Sequence, residues 1–83
     1  MGSVRLLFFS VLQDLTGTES MEVNLPDQGL KVRELLDMVI ESFPGLEAWK
    51  TRLLIAVDCE YADLEQVVKP GSEVALMPPV QGG

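Results

Sequence analysis

The chain opens on an apolar run, Val4 to Phe9, interrupted only by Arg5, which has the length of a largely buried strand. Gln13 to Thr18 is polar and contains Gly17, so it reads as a turn. Met21-Glu22-Val23-Asn24-Leu25 then alternates apolar with polar, the pattern of a half-exposed strand paired with the first, and Pro26-Asp27-Gln28-Gly29 stops it. The clearest periodicity follows. Val32, Leu35, Leu36, Val39, Ile40 and Phe43 recur at helical spacing as one stripe, with Glu34, Asp37, Glu41 and Ser42 on the opposite side. From Val32 to Phe43 such a helix is about 18 Å long at the usual rise per residue. Pro44-Gly45 ends it, because proline disfavours helical geometry in the residue before it.

Beyond that helix the pattern turns back to short strands. Leu46 to Thr51 reads as a helical turn or loop with Trp49 as a packing anchor, and Leu53 to Val57 as an apolar strand. Tyr61-Ala62 suggests a brief edge strand and Lys69-Pro70-Gly71-Ser72 a turn. In the last strand, Glu73 to Met77, Val74 and Leu76 share one face while Ala75 and Met77 share the other. The order is strand, strand, helix, strand, short strand, strand, without repeats, low-complexity segments or an interdomain linker. That order predicts an α+β chain of the β-grasp (ubiquitin-like) class, a mixed sheet of four to five strands covered by one main helix. The folded domain is expected over 1–77, with 78–83 as an extended tail.

Period-two alternation also makes a statement about the uncovered side of that sheet. If Leu6, Phe8, Val74 and Leu76 face the helix, then Leu7, Phe9, Ala75 and Met77 point away from it. One helix cannot cover both faces, and an apolar outer face marks a protein interface, which Tyr61 is placed to join. Cover from the loops around Trp49 is the alternative.

Composition narrows the chemistry. Eighty-three residues make one domain, and 47% hydrophobic content supplies a core without staples. A single cysteine, Cys59, cannot form an internal disulfide and fits a reducing, cytoplasmic setting. The absence of histidine removes the usual zinc and iron ligand sets, so no metal site is expected. No histidine is available to activate Cys59 as a nucleophile, and Asp58 and Glu60 beside it carry the wrong charge to support one. The acidic group Asp58, Glu60, Asp63 and Glu65 lacks an accompanying nucleophile or base and reads as a solvated surface or a patch for a basic partner. A formal charge of −7 opposes nucleic-acid binding and favours a partner with a basic docking face. No apolar run approaches the roughly 20 residues that span a bilayer, and the first residues lack the features of a secretory signal. A glycine-rich phosphate loop is also missing, so nucleotide binding belongs to a partner.

The chemistry expected of this chain sits in its last six residues, Pro78-Pro79-Val80-Gln81-Gly82-Gly83. Adjacent prolines favour an extended path and cannot donate backbone hydrogen bonds, so the sheet stops there. Six extended residues reach at most about 20 Å, and two residues without side chains enter a channel too narrow for others. A terminal pair of glycines arises by chance in about 0.5% of sequences at average glycine usage. Their place behind a proline-stiffened segment predicts a carboxylate presented on a slim arm.

These residues carry a resemblance. Val4-Arg5-Leu6-Leu7-Phe8-Phe9, Leu54-Ile55-Ala56-Val57, Lys69-Pro70-Gly71-Ser72-Glu73-Val74-Ala75 and Met77-Pro78-Pro79-Val80-Gln81-Gly82-Gly83 resemble the small, sulfur-carrier subunits of molybdopterin synthase, within the ubiquitin-like sulfur carriers, over nearly the whole length. The proline pair before the diglycine separates this branch from the thiamine-pathway carriers. The family often has Asn where Asp58 stands, Asp in place of Ser72, and Ser or Thr in place of Gln81. The resemblance implies that an adenylating enzyme of the ubiquitin-activating type uses ATP to convert the Gly83 carboxylate to an acyl-adenylate. Sulfur from a cysteine desulfurase or a rhodanese-type donor then displaces AMP and leaves a thiocarboxylate. The loaded tail enters the large subunit of the synthase and passes sulfur to a pterin precursor, two transfers completing one dithiolene. No cofactor is expected to stay bound. Two other classes remain open: a protein modifier joined to lysines through Gly83, and a plain interaction domain with an inert tail.

Overall fold

A computed structural model describes residues 2–79. Along the chain the elements are β1 (Gly2–Phe8), α1 (Val11–Thr16), β2 (Ser20–Leu25), β3 (Leu30–Lys31), α2 (Val32–Ser42), a 3₁₀ helix (Pro44–Trp49), β4 (Leu54–Val57), β5 (Glu60–Tyr61), β6 (Val67–Val68) and β7 (Glu73–Met77). The main sheet runs β2-β1-β7-β4-β5, and β3 pairs with β6 in a separate two-stranded ribbon. β1 and β7 are parallel, and the other neighbours in both sheets are antiparallel. This mixed sheet with α2 across one face is the β-grasp arrangement anticipated from the sequence.

The core lies between α2 and the sheet. Val32, Leu35, Leu36 and Val39 of α2 meet Val4, Leu6 and Phe8 of β1, Ile55 and Val57 of β4, and Val74 and Leu76 of β7. Burying each such side chain stabilises the fold by about 1.5–3 kcal/mol, which outweighs the weak helix propensity of the β-branched residues in α2. Phe43, just past α2, meets the Phe8 ring edge-on with centroids 6.1 Å apart. At the start of α2, amides that lack intrahelical acceptors find them elsewhere. The Lys31 N–H donates to the Glu34 carboxylate at 2.9 Å, Val32 N–H to Gln66 O at 2.8 Å and Arg33 N–H to Leu64 O at 3.0 Å.

Three features differ from the sequence reading. Gln13 to Thr18 is not a plain turn: residues Val11–Thr16 form α1, capped where Gly17 turns left-handed (φ 75°) and donates to Gln13 O at 2.8 Å. One and a half turns, with Leu12 as their buried residue, are too short to show periodicity. The ribbon β3–β6 carries only two residues per strand and gave no alternation to read. Gly29 allows it to form, since at φ 82° a Cβ there would collide with Val68 O. Finally, the edge strand is Glu60–Tyr61 rather than Tyr61-Ala62. Trp49 packs against the main core, in line with its reading as a packing anchor.

Candidate functional site

The outer face of the sheet divides into two halves. Toward the start of β1 it is polar: Ser3 lies beside Asn24, and Arg5 lies between Glu22 on β2 and Glu73 on β7. Toward the end of β1 it turns apolar. Leu7 neighbours Ala75, Ala75 neighbours Ala56, and Ala56 neighbours Tyr61, so one row crosses four strands. The next row sets Met77 beside Leu54, and the Phe9 N–H donates to Leu76 O at 3.2 Å, holding Phe9 against the end of β7. The inner partners of these residues, Leu6, Phe8, Val74 and Leu76, are at most 2% exposed, whereas Phe9 is 41% and Tyr61 74% exposed.

Small and large residues on this half combine into a shape. The two alanines make a low floor, and Phe9, Met77, Tyr61 and Cys59 stand around it to enclose a depression of about 310 Å³. Leu7 sits beside Ala75 in the row but does not line that depression, and it borders a second hollow with Phe9 and Gln13. Thus Phe9, Tyr61, Ala75 and Met77 come together as the sequence suggested, with Leu7 adjoining. Ala56 and Cys59 line the hollow too, and sequence reasoning did not select them. For Ala56 the signal was available: alternation in Leu53 to Val57 places it opposite Ile55 and Val57 once β4 is paired with β7.

Two local devices aim the rim. Ser10 adopts φ 58°, ψ −132°, a geometry unfavourable for a residue with a side chain, and it breaks the chain from β1 into α1 directly after Phe9. At the other side, Asp58 and Cys59 both have positive φ (51° and 71°), making the tight turn from β4 into β5 that carries Tyr61. Asp58 secures that turn against β7, with its N–H on Glu73 O at 2.8 Å and its Oδ1 accepting from the Glu73 N–H at 3.0 Å.

The acidic residues do not form a catalytic set. Asp58 serves the turn, and Asp63 Oδ1 accepts from the Glu65 N–H at 2.9 Å. Glu65 bridges Lys31 at 3.0 Å and Arg33 at 2.7 Å. The hydrogen bond from Lys31, supported by the Arg33 charge, holds the Glu65 carboxyl below the usual range. Lys50 is raised by its hydrogen bond to Asp37, 2.9 Å away, which ties the end of the 3₁₀ helix to α2. Among the described residues, no group of three or more acidic or cysteine side chains is arranged to hold a metal ion. Nor is any helix long and apolar enough to cross a membrane.

Pro78 and Pro79 follow β7 without entering the sheet, and both are half-buried, so the first two tail residues lie partly against the body. Val80, Gln81, Gly82 and Gly83, which complete the expected tail, lie outside the described residues. The apolar depression therefore adjoins the strand end from which the tail departs.

The fold and its order of strands define the class of ubiquitin-like, β-grasp domains, here with an apolar depression beside the end of the last strand. The chain belongs to the ThiS family, whose model matches residues 6–83. It is 32% identical to the human molybdopterin synthase sulfur carrier subunit, the match covering 96% of this chain and 93% of that protein. Among solved structures it is similar to SAMP1 from Haloferax volcanii, with a TM-score of 0.84, 27% identity, and coverage of 99% of this chain and 100% of that one. It is also similar to a chain in the complex of subunits 1 and 2 of molybdopterin-converting factor from Helicobacter pylori. There the TM-score is 0.66, the identity 26%, and the coverage 98% of this chain and 99% of that one.

Proposed function

We propose that this protein is the sulfur carrier subunit of a molybdopterin synthase, acting in the cytoplasm in molybdenum cofactor biosynthesis. The reading rests on family membership across nearly the whole chain and on the likeness to the human sulfur carrier subunit. In this reading Gly83 is the reacting residue. Its carboxylate oxygen attacks the α-phosphorus of ATP on an adenylating partner, pyrophosphate leaves, and an acyl-adenylate forms. The outer sulfur of a persulfide on a cysteine desulfurase or rhodanese-type donor then attacks the acyl carbon, and AMP leaves. A partner cysteine thiol cleaves the resulting acyl disulfide, forming a disulfide with the donor cysteine and releasing the thiocarboxylate. General acid–base work and oxyanion stabilisation come from the partner enzymes, because this chain brings no catalytic side chain to the reaction.

The large subunit of the synthase is the partner proposed for the outer apolar half, with Leu7, Phe9, Tyr61, Ala75 and Met77 in the contact. Pro78, Pro79, Val80, Gln81 and Gly82 then lead Gly83 into that subunit's active site. The depression of about 310 Å³ beside the end of β7 supports this arrangement, since a side chain seated there holds the body while the tail extends past it. Mass spectrometry after coexpression with an adenylating enzyme and a sulfur donor tests the reading. The expected product has one oxygen exchanged for sulfur at Gly83, and an unmodified terminus under those conditions overturns it.

The likeness to SAMP1, a small archaeal modifier protein, favours a second reading in which Gly83 is joined to lysines of other proteins. Isopeptide-linked lysines in the same mass spectra select it.

A further inference from the structure

We propose that the free edge of β2, with the groove between β2 and α2, docks an extended segment of a partner protein whose aliphatic and polar residues alternate and whose flanks carry lysine or arginine. Among the described residues, β2 ends the sheet and pairs with β1 alone. The Phe8 N–H donates to Glu19 O at 2.8 Å, which sets the phase of the ladder. In that phase Met21, Val23 and Leu25 bond inward to β1, while Ser20, Glu22 and Asn24 turn their N–H and C=O groups outward. Ser20 already has partners: the Thr18 hydroxyl donates to its C=O at 2.8 Å and accepts from its N–H at 3.4 Å. Glu22 and Asn24 are left as a two-residue template for an added strand.

Side chains beside this template make a matching groove. Met21 and Val23 of β2 and Met38, Val39 and Ser42 of α2 line a hollow of about 220 Å³, with Glu22 at its lip. Met38 stands outside the buried stripe of α2 and is 42% exposed. Glu34 and Glu41 lie one helical turn to either side of it, so two carboxylates flank the apolar hollow along α2, while the Glu22 side chain turns to the outer face beside Arg5. The cations of this region are engaged elsewhere, Lys31 and Arg33 with Glu65 and Lys50 with Asp37. That charge pattern selects a basic occupant. A second copy of this chain would bring its own Glu34 and Glu41 to the same groove, like charge against like. The site is separate from the apolar depression and uses other residues than the proposed sulfur transfer, so its test is independent of the sulfur-carrier reading.

The test uses the peptide Lys-Lys-Val-Thr-Val-Thr-Val-Lys-Lys titrated into the full chain, with backbone amide resonances as the readout. Saturable shifts are expected at Glu22 and Asn24, with smaller ones at Met38 and Ser42. Replacing the four lysines by glutamates, or N-methylating the threonines, is expected to weaken binding at least about tenfold, by charge or by loss of strand pairing. Met38→Glu on the exposed side of α2 is expected to do the same while shifting the thermal midpoint by no more than about 2 degrees. Equal binding of the acidic peptide, shifts centred on Leu7 and Phe9, or self-association through β2 in sedimentation would each overturn the proposal.

Discussion

The two faces of the main sheet are built from the same strands and obey different rules. On the face under α2, large side chains such as Phe8, Leu6 and Leu76 fill space to near-complete burial. On the outer face, the centre of the apolar half is made of Ala56 and Ala75, and the bulk stands at the rim. The inner face is filled by volume, and the outer one is hollowed into a shape. An inner substitution is therefore felt in stability, and, on the contact proposed for the outer half, an outer one in recognition.

Substitutions across that divide can separate the two rules. Phe8→Ala should be the most damaging, costing about 3–5 kcal/mol in denaturant unfolding, since it empties the core where Phe8 meets Phe43. Gly29→Ala should follow at about 2–3 kcal/mol, because the new Cβ collides with the Val68 carbonyl and forces β3 from β6. Ala75→Asp, on the outer floor, should cost about 1 kcal/mol or less yet weaken binding of the large subunit at least tenfold in calorimetry. If Ala75→Asp unfolds the protein, or leaves that binding intact, the division of labour between the faces fails.

The smallest effect concerns neither face and provides a baseline. Glu65 is a carboxylate lowered by Lys31 and Arg33, so its contribution to stability is complete above its ordinary range. The contribution is lost as pH falls through the lowered folded value. Glu65→Gln should therefore flatten the acid limb of the thermal midpoint slightly and leave the neutral region near its wild-type slope. The group is fully exposed, so the change should be small beside those above.

What the sequence disclosed follows from the length over which a pattern could repeat. α2 was readable because its stripe continues through three turns, and its end at Ser42 lies one residue from the expected Phe43. The faces of β1 and β7 were readable because strict alternation leaves only two choices of side. α1, β3 and β6 were hidden because two to six residues hold no period, and their pairing comes from tertiary contacts at Gly29 and Leu12. Of the candidate site, Phe9, Ala75 and Met77 were legible from alternation, whereas Ala56 and Cys59 needed the register of β4 on β7 and the turn at Asp58. The positive φ at Ser10 left no signal, since serine is not the residue that such geometry favours.

The central position of β7 has a mechanical consequence. A pull on the chain beyond Met77 runs along β7, which is held on one side by β1 and on the other by β4. The hydrogen bonds on both flanks lie across the direction of pull, so they bear load together instead of opening one by one. The body should behave as a stop at the mouth of any channel that draws the tail inward, and single-molecule pulling between residue 2 and residue 79 should register a high rupture force.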